Sequence, residues 1–128
     1  MSIKTCKDLK VYNLSYDSAM LIFKMTSQFP KDEKYSLTSQ VIRSSRSVPA
    51  NIREGFAKRK YKQVFLRHLI DAIGSAEETK TWLDFALDCN YSSKSEHERL
   101  QAKYSEITAM LYSLINNWKN FDEKREEK

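Results

Sequence analysis

Glycine, proline and cysteine are scarce in this chain, with two of each among 128 residues. So few turn formers argue against a strand-rich fold, which needs a turn signal about every 8–12 residues. Two lone glycines also exclude a glycine-rich phosphate loop and the glycine-flanked turn that exposes a nucleophilic serine. Cys6 and Cys89 stand far apart, without the spacing of a metal site or a redox pair. With no secretory segment and no long apolar run, they read as reduced thiols of a cytoplasmic protein without membrane attachment. Histidine is equally rare: Phe65 lies three residues before His68 and Lys94 three before His97, so the Glu-x-x-His pairs of carboxylate-bridged metal bundles are absent. Glu54, Glu77 and Glu78 are carboxylates of a highly charged chain, where such groups are ordinarily solvated or paired. The expectation is a non-enzymatic protein with no catalytic residue, no metal site and no cofactor.

What the chain has in quantity is charge, 30% of its residues, with a formal net charge of +5. The excess is local. Between positions 43 and 68, Arg43, Arg46, Arg53, Lys58, Arg59, Lys60, Lys62 and Arg67 face the single acid Glu54, which leaves the rest of the chain net acidic. A basic stripe of this kind suits phosphate contact, and it equally suits a solvated helix face.

Apolar residues recur at three and four positions almost throughout, which predicts an all-α single domain over 1–128 with helices at about 8–28, 36–60, 61–90 and 95–121. The first carries Leu9, Tyr12, Tyr16, Ala19, Phe23 and Thr26 after an Asp8 cap, and Phe29-Pro30 ends it. The second follows Ser36 and turns Leu37, Val41, Val48, Ile52 and Phe56 inward. The third buries Phe65, Leu69, Ala72, Ile73, Ala76, Leu83, Ala86 and Leu87, on a stripe narrowed by Gly74 and Ser75. Capping-box patterns at Ser93–Glu96 and Ser95–Glu98 announce the fourth, whose Leu100, Tyr104, Ile107, Leu111, Leu114, Trp118 and Phe121 form a heptad seam. The charged tail 122–128 is expected to fray. Four long helices with short loops make an antiparallel up-down-up-down four-helix bundle.

Ser47 to Phe56 places one of the two prolines and one of the two glycines inside the second helix, where they cost about 3 and 1 kcal/mol relative to alanine. The periodicity continues across Pro49, so the segment reads as one helix kinked at Pro49, with Gly55 permitting close backbone approach. A second stripe, Gln40, Ser44, Ser47, Asn51, Glu54 and Lys58, has short polar side chains that either bond across a helix or subunit contact or border solvent. Arg43, Arg46 and Arg53 lie away from the apolar centre. Of the neighbouring aromatics, Phe65 fits the core, while Phe56 and especially Tyr61 are candidates to stack on single-stranded bases.

In order, Asp8-Leu9-Lys10-Val11-Tyr12, Phe29-Pro30-Lys31, Tyr35-Ser36-Leu37-Thr38-Ser39-Gln40, Ser47-Val48-Pro49-Ala50-Asn51-Ile52 with Glu54-Gly55, and Gly74-Ser75 resemble the motifs of the four-helix-bundle proteins encoded within intervening sequences of bacterial 23S rRNA genes. The resemblance implies a bacterial homo-oligomer, a pentamer being known among relatives, and a poorly defined role. A related group, the accessory proteins of diversity-generating retroelements, is basic and pentameric and binds nucleic acid and a reverse transcriptase. No catalytic residue is implied. This chain departs from the pattern at Arg46 and Arg53, at Tyr61 where a serine cap is common, and at Ser15 and Ser18.

The expected function is a homo-oligomer that associates with RNA or a ribonucleoprotein through Arg43, Arg46, Arg53, Lys58, Arg59, Lys60, Tyr61, Lys62 and Arg67. Gln40, Ser44, Ser47, Pro49, Asn51, Glu54 and Gly55 are the expected assembly and packing positions. The alternative is a scaffold that recognises a partner protein and touches no nucleic acid.

Overall fold

The computed structural model describes residues 3–126, with side chains through Trp118. Four helices form: α1 (Lys10–Thr26), α2 (Leu37–Ala57), α3 (Lys62–Asp88) and α4 (Lys94–Glu126). No strand occurs among the described residues. Each helix packs on its two neighbours in cyclic order, α1 on α2, α2 on α3, α3 on α4 and α4 back on α1, with the α2–α3 contact the most extensive. None of these helices contains an apolar stretch long enough to cross a membrane.

Helix ends follow local hydrogen bonding. Asp8 does not cap α1; it closes a single 3-10 turn, Cys6–Asp8, its carboxylate accepting the Lys4 and Thr5 amides at 2.8 and 3.0 Å. Leu9 is the residue before α1. Ser36 does occupy the cap position of α2, but its hydroxyl donates to Glu33, whose carboxylate accepts the Leu37 amide. At α4 the first of the two capping boxes forms, with reciprocal Ser93 and Glu96 bonds of 2.9 and 3.0 Å. Helix α4 continues to Glu126 rather than ending near position 121, as a run of Lys, Arg and Glu, all good helix formers, allows.

The α4 seam is buried from Leu100 to Trp118, and Trp118 packs edge-on against Phe65 at 4.6 Å between ring centroids. Phe121 of that seam lies outside the described side chains. The expected core face of α1 is met in part, with Leu9, Tyr12, Ala19 and Thr26 buried. Val11, Ser15, Ser18, Ile22 and Met25 point inward, while Tyr16 is 51% and Phe23 48% exposed. The serines can enter the core because their hydroxyls bond backward along the helix, Ser15 to the Tyr12 carbonyl and Ser18 to that of Leu14.

Glu33 ties the α1–α2 connection to the α3–α4 loop, since Tyr91 donates its hydroxyl to the Glu33 carboxylate at 2.9 Å while the Tyr91 ring packs on Phe29. The Ser36 hydroxyl, then Tyr91 and the Leu37 amide, hold the Glu33 carboxyl below its ordinary value of 4.5. A depressed carboxyl contributes stability that is present above 4.5 and lost as pH falls through the folded-state value. Glu33→Gln should therefore flatten the loss of stability below pH 4.5, as measured by urea unfolding at stepped pH.

Candidate nucleic-acid interface

Helix α2 runs unbroken through Pro49, which is buried. Its polar stripe turns toward α3 of the same chain. Thr79 donates to the Ser44 hydroxyl at 2.8 Å, the Ser47 and Ser75 hydroxyls meet at 2.9 Å, and the Asn51 carboxamide oxygen lies 3.1 Å from Nδ1 of His68. Gly55 completes the seam: a Cβ there would stand 2.6 Å from the His68 Cβ and 3.1 Å from the Phe65 ring. Glu54 and Lys58 end the row in an exposed ion pair of 3.0 Å beside His68, and that ammonium, with a smaller contribution from His68, holds Glu54 below the usual carboxylate range. Gln40 alone of the stripe is open to solvent without a polar partner across the helix contact.

The basic residues separate into two groups. Arg43, Arg46 and Arg53 lie along the α1 side of α2, all exposed. Arg46 sits over the Phe23 ring at 5.4 Å, and Arg53 donates to the Tyr12 hydroxyl at 3.4 Å. The second group surrounds the turn from α2 into α3. Lys60, Lys62 and Arg67 are exposed there and make no ion pair among the described residues, and Tyr61, at the cap position of α3, is 64% exposed. Arg59 is different. Its guanidinium lies 3.9 Å over the Phe56 ring and donates to the Phe56 carbonyl at 3.0 Å, so it closes the end of α2. Phe56 and Phe65 are buried, which leaves Tyr61 as the open ring beside the cations.

Over residues 7–113 the chain matches the family described as 23S rRNA-intervening sequence protein. It belongs to that family. The matched span contains every residue of the polar seam and both basic groups. The fold of this family member is similar to the crystal structure of a protein of unknown function from the S23 ribosomal protein family of Bacteroides thetaiotaomicron VPI-5482, at 27% identity and a TM-score of 0.72, covering 82% of this chain and 97% of the other. No functionally curated protein matches.

No group of three or more His, Cys, Asp or Glu residues capable of holding a metal occurs among the described residues. His97 instead pairs with Asp84 at 2.7 Å, bracing α4 on α3 with Gln101. What periodicity missed is the groove between α1 and α2, lined by Tyr16, Met20, Arg46 and Arg53 and about 580 Å³ in volume.

The α2–α3 seam yields two tests. Gly55→Ala gains about 1 kcal/mol of helix propensity, but its methyl must displace the base of the His68 side chain, an overpacking cost of about 1–3 kcal/mol. Net destabilisation of up to about 2 kcal/mol is the expected result in denaturant unfolding. For the buried hydroxyl pair, Thr79→Val and Ser44→Ala should each cost about 1 kcal/mol, and the double variant distinctly less than both together. A double-mutant cycle measures that coupling.

Proposed function

We propose that this family member is a non-catalytic, self-assembling helical bundle that associates with RNA or a ribonucleoprotein through the basic corner where α2 turns into α3. The observation that carries this reading is that Lys60, Lys62 and Arg67, at and just after the α2–α3 turn, are exposed in the same stretch as the open Tyr61 ring, with no acid paired to the three cations among the described residues. Phosphates then meet charges that need release no protein partner, and a base can stack on Tyr61. Lys58, already bonded to Glu54, and Arg59, bonded to Phe56, contribute less. The contact is to backbone and ring faces, so it carries little sequence preference.

Self-assembly is supported by the apolar surface that one copy leaves open, Tyr16, Phe23, Ile70 and Phe85 among it. Ser44, Ser47 and Asn51 of the α2 polar stripe add little to that surface, because they are bonded to α3 of the same chain. The same open surface favours the second reading, a protein-interaction scaffold without nucleic-acid contact.

Fluorescence anisotropy with single-stranded and structured RNA in low salt separates the two. Binding should weaken with salt at a slope of about 0.7–0.9 per phosphate contacted, and Lys60→Gln/Lys62→Gln/Arg67→Gln should lower both the affinity and that slope by about 2–3. Binding no tighter than that of a neutral control protein, or indifferent to the triple substitution, would leave the scaffold reading.

A further inference from the structure

Gly74 has no intramolecular explanation. It lies in the interior of α3, where glycine costs about 1 kcal/mol relative to alanine, and a Cβ there would meet nothing within 4 Å. Gly55, by contrast, is required by its neighbour. A glycine that no part of its own chain needs leaves the α3 backbone open to close approach from outside.

The surroundings of Gly74 describe that visitor. Ile70, Gly74, Thr81 and Phe85 follow one another along the outer face of α3, and Ile70 is 57% and Phe85 53% exposed. Asp71, Glu77 and Glu78 flank the row and are exposed, Glu77 paired with Lys80 at 3.2 Å and Glu78 accepting from the Trp82 indole at 3.0 Å. The face is thus apolar along its centre, notched at Gly74 and acidic at its margins, and it asks for an apolar ridge bordered by cations. The chain carries such a surface elsewhere. The α1–α2 groove presents Tyr16 and Met20 from α1, bordered by Arg46, Arg53 and the single acid Glu54 from α2, and a second hollow further along the same two helices holds Phe23 and Arg43. Nucleic acid fits the α3 face poorly, since phosphates would meet three carboxylates.

We propose that the outer face of α3 around Gly74 docks into the α1–α2 groove of a second copy of this chain, with Asp71, Glu77 and Glu78 opposite Arg43, Arg46 and Arg53. This rests on the self-assembly reading above and specifies its contact. Helix α3 packs on α2 and α4 and not on α1, so the two faces belong to different sides of one molecule. The contact is heterologous: each copy gives its α3 face to one neighbour and its groove to another, a geometry that closes into a ring or extends as a filament. Arg46 and Arg53 then serve the subunit contact, and the α2–α3 corner is left for RNA.

Light scattering of the full chain provides the test, with circular dichroism as the check on folding. Gly74→Leu points into open space and gains helix propensity, so it should keep the helical content and cooperative unfolding of the wild type while the particle mass falls to that of one chain. Arg46→Glu/Arg53→Glu breaks the other face and should also give single chains. Mixed, the two variants retain one intact face each and should form a pair of twice the chain mass. Assembly of Gly74→Leu to the wild-type mass, or a mixture that stays at one chain, overturns the proposed interface while leaving self-assembly standing. A wild-type chain that is itself monomeric overturns both.

Discussion

The approach of α2 to α3 is the constraint on which the rest of the molecule depends. Gly55 sets the separation, because nothing larger fits between the α2 backbone and the base of the His68 side chain. At that separation Ser44 reaches Thr79, Ser47 reaches Ser75 and Asn51 reaches His68, pairs that step up α2 as they step down α3. Apolar contacts tolerate sliding of one helix along another, whereas a buried hydroxyl that loses its partner carries a desolvation penalty of about 1–3 kcal/mol. The buried Ser44–Thr79 pair, with the half-buried Ser47–Ser75 and Asn51–His68 pairs beside it, holds the two helices in one register. Pro49, which removes a backbone donor from α2, is tolerated inside this zipped and buried stretch.

The same contact determines where charge accumulates. With the polar stripe turned inward and the apolar stripe in the core, the remaining faces of α2 must carry its arginines. The abrupt turn after Ala57 then gathers Lys60, Tyr61 and Lys62 at one corner with Arg67 from the start of α3. Arginines on the α1 side meet aromatic rings, and lysines at the corner meet water. One basic run in the sequence therefore becomes two chemically different surfaces.

How much of this was legible differs from helix to helix. The α4 seam and its Ser93–Glu96 cap were readable outright, because the seam is strictly apolar at heptad spacing and the cap uses residues adjacent in sequence. The cross-helix stripe of α2 was readable as a pattern, and only coordinates separate a contact within the chain from one between subunits. Helix α1 misled: Tyr16 and Phe23 have the spacing of core residues, while Ser15 and Ser18, buried with their hydroxyls bonded to the preceding turn, do not look like core at all. Hydrophobicity separates inside from outside poorly where small side chains are needed for close packing and large rings border a groove. Asp8 illustrates a second limit, since a carboxylate can serve a short turn before a helix as readily as the helix itself.

The cyclic packing order also bears on how the chain reaches its native state. Three of the four helix contacts join neighbours in sequence, and only the α4–α1 contact spans the length of the chain. Local contacts incur a small loop-closure entropy, so folding is expected to begin in the α2–α3 hairpin and grow outward, with the ends meeting last. Every residue that lines the α1–α2 groove precedes α4 in the chain, whereas the heptad seam belongs to α4 itself. A ribosome-bound nascent chain would thus display a finished groove while its last helix was still being made.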